Sequence, residues 1–166
     1  MIISVNRRKL SEAEISLLIR DLPLFPNLAY VSKSRWHHMI DPYCLMVRGK
    51  FAGVCGIYSF DGWIKIGPFV LLQKYHGLGL GKHLLKVIFD NHKNTSIFIT
   101  SSNPVVHQIM SSFDFQELPS VFFIPFKVKM FLILQLTEHI NISVAQEGIR
   151  KLFLQKGKRK YYVKHA

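Results

Sequence analysis

The chain has 166 residues, of which 49% are hydrophobic and 19% charged, so it can bury a sizeable core and is not a disordered chain. Lys and Arg number 22 against 10 Asp and Glu, and the net charge of +12 attracts anionic partners such as nucleic acid, phosphate-bearing cofactors, acidic membranes or acidic proteins. Two cysteines, Cys44 and Cys55, are too few for a disulfide scaffold and indicate free thiols in a reducing compartment. We find no secretory signal and no apolar run of the ~18–20 residues that a transmembrane segment needs, so the sequence predicts a cytoplasmic protein.

The first half of the chain is predicted to form a strand, two helices and three antiparallel strands. Ser11 and Glu14 have the spacing of a capping box, which marks the start of the first helix. Asp61-Gly62 is a typical hairpin turn. The expected strands are residues 2–5, 43–47, 51–58 and 63–72, and the expected second helix is residues 34–40.

The second half begins with a glycine-rich loop, residues 77–81, followed by helical apolar spacing over 82–90. Asn103-Pro104 is a strong helix start after a short strand, because Asn is a good N-cap and Pro fits the first helical position. We expect further strands over 115–126 and 127–136 and an amphipathic helix over 142–155. This order of elements predicts a mixed α/β domain with helices covering a mostly antiparallel sheet.

The glycine-rich loop is the clearest candidate for a functional site. The first N–H groups of a helix lack partners within the helix, and the helix dipole adds positive charge, so a strand leading through glycines into a helix can bind a phosphate. Lys82 and His83 add cations there. The spacing fits neither the dinucleotide fingerprint nor the Walker loop, and an ordinary tight turn remains the alternative.

Two blocks of residues carry a resemblance. Residues 67–85 resemble the acetyl-CoA motif of the GNAT superfamily of N-acetyltransferases. That motif consists of Arg or Gln, any two residues, Gly, any one residue, and then Gly or Ala. In this sequence it falls on His76, Gly79 and Gly81. Residues 103–115 are similar to the family's Asn helix and its closing Gly-Phe, with Asp114 in place of the Gly. The resemblance implies a GNAT-like, mostly antiparallel twisted sheet of about 6–7 strands with about four helices. That domain would span residues 1–136, with residues 137–166 as a basic helix and tail.

The resemblance also implies acetyl-CoA, or another acyl-CoA, as the cofactor. Backbone N–H groups of residues 78–82 would hold the pyrophosphate, and backbone groups of Phe69 and Leu71 would contact the pantetheine arm and polarise the acetyl carbonyl. Asn103 would line the pantetheine channel. The implied cofactor-binding residues are Phe69, Leu71, His76, Gly77, Leu78, Gly79, Leu80, Gly81, Lys82 and Asn103.

The catalytic residues are left open by the sequence. The family's usual general-acid Tyr falls on Met110, which cannot donate a proton, although a thiol with a pKa of ~8.5 leaves with little acid assistance. No carboxylate lies within residues 63–72, so His37, His38 and His107 are the candidate bases. For each of them a surface or hydrogen-bonded histidine is the alternative, and a water chain could also serve as the base.

The acceptor is also left open. Trp36 and Tyr58 are candidates for the acceptor pocket, with core aromatics as the alternative. No Cys/His cluster has the spacing of a zinc site. The implied activity is transfer of an acetyl group to a primary amine of a small molecule, a peptide or an aminoacyl group.

The C-terminal tail suggests further alternatives. Residues 141–166 carry seven basic side chains and the single acid Glu147. Residues 150–164 could therefore contact nucleic acid, with Tyr161 or Tyr162 stacking on a base, or an anionic membrane surface, or simply be solvated. One alternative function is thus an RNA-associated acetyltransferase with an aminoacylated RNA as acceptor, and another is a weak or inactive CoA-binding module.

Overall fold

The computed structural model describes residues 2–21, 24, 31–137 and 158–166. Within these residues the chain forms seven strands and five α-helices, with short 3-10 turns at Gln73–Tyr75 and Val121–Phe123. In chain order the elements are β1 (Ile3–Arg7), α1 (Glu12–Asp21), α2 (Lys33–His37), β2 (Tyr43–Val47), β3 (Lys50–Phe60), β4 (Trp63–Leu71), α3 (Leu80–Asn91), β5 (Ser96–Ser101), α4 (Pro104–Ser111), β6 (Gln116–Leu118), α5 (Phe126–Thr137) and β7 (Lys160–Lys164).

The strands form one seven-stranded sheet in the order β1-β2-β3-β4-β5-β7-β6. The pairs β1–β2, β2–β3, β5–β7 and β6–β7 are antiparallel. This architecture confirms the predicted mixed α/β fold class. The chain divides into two compact units, one of Met1–Ile57 with Ile66–Lys93 and one of Tyr58–Lys65 with Asn94–Ala166.

In the first unit, helix α1 begins with the predicted capping box. The Ser11 N–H donates to Glu14 Oε2 at 2.9 Å, and the Glu14 N–H donates to Ser11 Oγ at 3.3 Å. Arg8 donates to both Glu14 oxygens, at 2.8 and 2.6 Å, and these bonds lower the pKa of the Glu14 carboxyl. The core beneath α1 and α2 contains the buried side chains Ile15, Leu18, Val31, Trp36, Met39, Cys44, Phe51, Val54, Val70 and Leu72.

The second unit has its own core, and α4 begins as predicted. Asn103 Oδ1 accepts a hydrogen bond from the Val105 N–H at 2.9 Å, and Pro104 occupies the first helical turn. An N-cap of this kind stabilises a helix by about 1 kcal/mol. The buried core residues of this unit are Trp63, Phe98, Leu118, Ile124, Val128 and Val163.

The prediction of two strands over 115–126 and 127–136 is wrong. Only Gln116–Leu118 is a strand, and Phe126–Thr137 is the helix α5. The cause is that α5 has apolar residues on both of its faces: Val128 is buried, whereas Phe126 is exposed. Such a helix has no polar face to show its 3.6-residue period in the sequence.

The end of the basic tail forms strand β7, which pairs with both β5 and β6. Tyr162 is buried, so the expectation that this side chain could stack on a nucleic acid base is wrong. Lys160 Nζ lies 2.8 Å from Glu117 Oε2, and Lys164 Nζ donates to the Phe113 carbonyl at 2.9 Å, so both cations have partners within the protein. The helix predicted over 142–155 lies outside the described residues.

No helix among the described residues is long and apolar enough to cross a bilayer. Within the same residues, no group of three His, Cys, Asp or Glu side chains is placed to hold a metal ion.

Candidate functional site

The first part of the site is the connection between β4 and α3. The Leu72 N–H donates to the Ala52 carbonyl at 2.9 Å, which continues the pairing with β3 one residue past β4. A 3-10 turn follows, and His76 Nε2 donates to the Leu71 carbonyl at 3.0 Å. His76 thus ties the loop back to the end of the strand, and the exposed residues of 76–79 project beyond it.

Two glycines give this loop its shape. Gly77 and Gly79 have φ values of +74° and +72°, in the left-handed region where a side chain costs about 1–2 kcal/mol. Gly79 is the N-cap of α3 and has no side chain to cap the helix, so the N–H groups of the first turn are left for another acceptor. A Cβ at Gly77 or Gly79 would meet no atom within 4 Å, so the space beside this helix end is open.

Gly81 brings the helix start onto strand β4. A Cβ at this position would lie 3.2 Å from Phe69 Cζ and 3.4 Å from Leu71 Cδ1. Gly53 on β3 makes similar room, because a Cβ there would lie 2.6 Å from Leu71 Cδ2 and 2.5 Å from the Val70 carbonyl oxygen. The structure therefore brings Phe69 and Leu71 together with the glycine loop.

The charge around the loop is positive. Residues 73–89 contain Lys74, Lys82 and Lys86 and no Asp or Glu. Lys86 is paired with Asp90, with 2.6 Å between Nζ and Oδ2. Open space, a helix N-terminus without a side-chain cap and nearby cations together favour an anionic ligand such as a phosphate.

Helix α2 packs on the other side of β4. Trp36 and Met39 share the core cluster with Val70 and Leu72, which alternate along the strand with Phe69 and Leu71 and so point to the opposite face. Met39 Sδ lies 2.9 Å from the position of a Cβ on Gly56. Trp36 is buried in this core, which favours the packing role over an exposed acceptor pocket.

His37 and His38 lie at the end of α2, next to Met39. His37 Nε2 is 3.2 Å from Glu12 Oε1, and His38 Nδ1 is 2.7 Å from the Ser34 carbonyl oxygen. Since both partners are acceptors, each of these nitrogens carries a hydrogen when the imidazole is neutral, and the lone pair lies on the other nitrogen of the ring. Each histidine therefore keeps one nitrogen able to accept a proton.

The other candidates lie in the second unit. Asn103 caps α4, and His107 Nε2 donates to the Ser101 carbonyl at 3.0 Å. Met110 is fully buried, so it is a core residue. Tyr58 is half-buried, with its ring 6.2 Å from Phe131 and Lys65 Nζ 5.2 Å from its centroid.

Three residues that lie around the site were not identified from the sequence. Glu12, which pairs with His37, resembles any solvated acid at the start of a helix. Met39 resembles an ordinary core residue. Gly53 did carry a signal, because a glycine inside a strand often marks the close approach of another group.

These features define the class of protein as an α/β protein with a glycine-rich turn at an uncapped helix N-terminus. Residues 14–109 match the sequence model of the Acetyltransferase (GNAT) family. Since this is more than half of the chain, the chain belongs to the GNAT acetyltransferase family. None of the curated proteins matches the sequence significantly.

Solved structures support the same fold. N-acetylglutamate synthase from Neisseria gonorrhoeae, complexed with coenzyme A and N-acetyl-glutamate, has a TM-score of 0.65 and 17% identity; the match covers 100% of this chain but 36% of that one. A GNAT-family acetyltransferase from Staphylococcus aureus has a TM-score of 0.63 and 13% identity, covering 97% and 98% of the two chains. The ribosomal-protein-S18-alanine N-acetyltransferase from Escherichia coli has a TM-score of 0.59 and 11% identity, covering 98% and 91%. This chain thus spans about a third of the Neisseria protein and nearly the full length of the other two.

Proposed function

We propose that this protein is an acetyl-CoA-dependent N-acetyltransferase that transfers an acetyl group to a primary amine. The observation that carries the proposal is the position of the uncapped N-terminus of α3 over Phe69 and Leu71 of β4, with Gly81 making the contact. Membership of the GNAT family and the coenzyme A in the similar Neisseria structure support it.

The residues of the loop fit a pyrophosphate. Backbone N–H groups of residues 78–82, including those of Leu78, Leu80 and Lys82, would bind its oxygens at the helix N-terminus. Gly77 and Gly79 leave open space there, and His76 holds the loop to the strand. When bound, acetyl-CoA supplies an acetyl thioester. Backbone groups of Phe69 and Leu71 would bind the pantetheine arm and polarise the thioester carbonyl. The role of Asn103 stays a prediction from the sequence resemblance.

A proton acceptor is needed because an ordinary amine is protonated near neutral pH. We propose His38 for this role, through the Nε2 lone pair that remains when Nδ1 donates to Ser34. His37, oriented by Glu12, is the second candidate. With acetyl-CoA bound, the histidine would first take the proton of the ammonium group and pass it to solvent, which leaves a neutral amine. The amine nitrogen would then bond to the acetyl carbon as the carbon–sulfur bond breaks. The second proton that the nitrogen loses would go to the histidine and from there to the leaving thiolate, so that one proton is released in all.

A second candidate function is a CoA-binding module with weak or no catalysis. The observation that favours it is that Met110, to which the sequence resemblance assigns the position of the family's general acid, is buried in the core. We favour the enzyme because a thiol leaving group with a pKa of ~8.5 needs little protonation and because oxyanion stabilisation by backbone N–H groups is usually the larger contribution to the rate.

Three classes of acceptor amine are candidates. The names of two similar proteins, an N-acetylglutamate synthase and a ribosomal-protein-S18-alanine N-acetyltransferase, point to different acceptors. The shared fold therefore does not select one, and a small molecule, a peptide and an aminoacyl amine are all to be tested.

The test is turnover with a panel of amino acids, polyamines and peptides with free N-termini, measured as thiol release together with the mass of the acetylated product. We expect equal amounts of thiol and acetylated amine with at least one acceptor. His38→Gln should lower kcat by ~100-fold without weakening acetyl-CoA binding, whereas His165→Gln, on an exposed histidine, should behave as wild type. Tight acetyl-CoA binding without acetylation of any amine would favour the non-catalytic module.

A further inference from the structure

Helix α5 presents apolar side chains on two opposite faces. On one face Val128 is fully buried and Leu132 packs against the same core as Phe98. On the other face Phe126, Met130, Ile133 and Leu134 are 75%, 42%, 53% and 57% exposed. The spacing of these four residues places them along one side of the helix. The outer face of a surface helix is normally polar, so this face is unusual.

The short turn before α5 extends the same surface. Phe122 is 82% exposed and Phe123 is 64% exposed. Lys129 Nζ donates to the Phe122 carbonyl at 2.8 Å, which holds the turn against the first turns of the helix. We call Phe122, Phe123, Phe126, Met130, Ile133 and Leu134 the apolar patch. Exposed apolar surface of this kind marks an interaction site with a protein or a membrane.

The charges around the patch indicate which partner it fits. Residues 119–137 contain Lys127 and Lys129 and no Asp or Glu, and the whole chain carries +12. Lys127 Nζ lies 2.9 Å from Asp61 Oδ2, but an exposed ion pair of this kind contributes little in water, so Lys127 can exchange this partner for a lipid phosphate. A second copy of the chain would bring two such basic surfaces together, which like-charge repulsion opposes. A membrane rich in anionic lipid attracts the same charges, at about 1 kcal/mol for each Lys or Arg near its surface.

We propose that the apolar patch binds the surface of anionic lipid bilayers. Phe122, Phe123 and Phe126 insert among the lipids at the level of the headgroups, where an interfacial helix buries its apolar face. Lys127 and Lys129 lie beside the phosphates, since long basic side chains keep their charged ends in the polar layer. The protein lies on the membrane through this patch, independently of the acetyl-CoA site.

The experiment is co-sedimentation of the full chain with lipid vesicles. One set contains phosphatidylcholine alone and the other contains one part phosphatidylglycerol to two parts phosphatidylcholine. We expect the protein to sediment with the anionic vesicles and to be released by high salt. The variant Phe122→Ser/Phe126→Ser should lower the partition coefficient by at least about tenfold, since burying one Phe contributes the equivalent of about tenfold or more.

The matched control is Ile2→Ser/Ile40→Ser, which removes two apolar side chains that are 77% and 78% exposed elsewhere on the chain. It should bind vesicles as wild type does. Lys127→Gln should weaken binding about fivefold, whereas Lys50→Gln, at the first residue of β3, should change it little. Thermal unfolding of each variant checks the fold, which these exposed side chains should not disturb.

Several results would overturn the proposal. One is the absence of sedimentation with anionic vesicles, and another is equal sedimentation with both vesicle types. A third is unchanged binding by the folded Phe122→Ser/Phe126→Ser variant. A concentration-dependent dimer in sedimentation velocity, lost in that variant and accompanied by no vesicle binding, would assign the patch to self-association instead.

Discussion

Replacing Gly79 by Glu should weaken acetyl-CoA binding at the start of α3, where we propose that the pyrophosphate binds, while leaving the fold intact. The position has a φ of +72°, and a Cβ there would meet nothing within 4 Å. The cost in the free energy of unfolding is therefore the backbone strain alone, about 1–2 kcal/mol. The new carboxylate would face the pyrophosphate of acetyl-CoA. Two unit charges 4 Å apart repel by ~1 kcal/mol in bulk water and by ~4 kcal/mol at an effective dielectric constant of 20, so the affinity should fall by between about fivefold and a thousandfold.

The chain contains a matched control for this substitution. Gly49, in the β2–β3 turn, has a φ of +73° and also has nothing within 4 Å of a Cβ. Gly49→Glu should therefore cause the same loss of stability, measured by urea unfolding, without changing the acetyl-CoA affinity measured by isothermal titration calorimetry. If both folded variants bind acetyl-CoA as wild type does, or if both lose the same affinity, the loop is not the pyrophosphate site.

Three further predictions concern the first unit. Arg8 lowers the pKa of Glu14, so the stability that this pair contributes is present above about pH 4.5, the ordinary Glu value, and is lost as the pH falls through the pKa of the folded state. Glu14→Gln should therefore reduce the fall in the free energy of unfolding, measured with urea, between pH 6 and pH 3. An unchanged dependence on pH would contradict this prediction. Gly53→Ala should lower the free energy of unfolding by about 1–3 kcal/mol, because its Cβ would lie 2.5 Å from the Val70 carbonyl oxygen. If the variant instead unfolds at the same urea concentration as wild type, β3 and β4 are not this close at Gly53. Burial raises the pKa of the Cys44 thiol to about 11, so a disulfide reagent at pH 8 should modify it only after unfolding, and rapid modification of the native protein would contradict its burial.

Local signals in the sequence were sufficient for much of the fold. The Ser11–Glu14 capping box, the Asp61-Gly62 turn and the Asn103-Pro104 helix start all form as predicted, because each depends on residues close together in the chain. The glycine loop was found for the same reason, since its left-handed glycines are adjacent to the helix that they begin.

The failures came where distant contacts decide the structure. The sequence predicts a strand where helix α5 forms, because Val128 faces the core while Phe126 and Met130 on the other side of the helix are also apolar. Nothing in the sequence shows which of these faces is exposed. The sequence predicts a basic tail where strand β7 forms, because Lys160 and Lys164 flank Tyr162 and Val163 and dominate the composition. Tyr162 and Val163 are buried only because β7 pairs with β5 and β6.

The site was predictable only in part, for a similar reason. The motif identified the loop, but the packing of Gly81 on Phe69 and Leu71 depends on how α3 returns over β4. The pairing of His37 with Glu12 joins two helices that are separated in the chain. No spacing in the sequence shows such a pair.

The most direct test of the central claim, that acetyl-CoA binds at the glycine turn against β4, is a backbone amide NMR titration of the full chain with acetyl-CoA. We predict that the largest shifts fall on residues 77–82 and on Phe69 and Leu71, with the β2–β3 turn at 48–49 unchanged. Saturable binding that leaves the amides of residues 77–82 unmoved, or no binding by the folded protein, would contradict it.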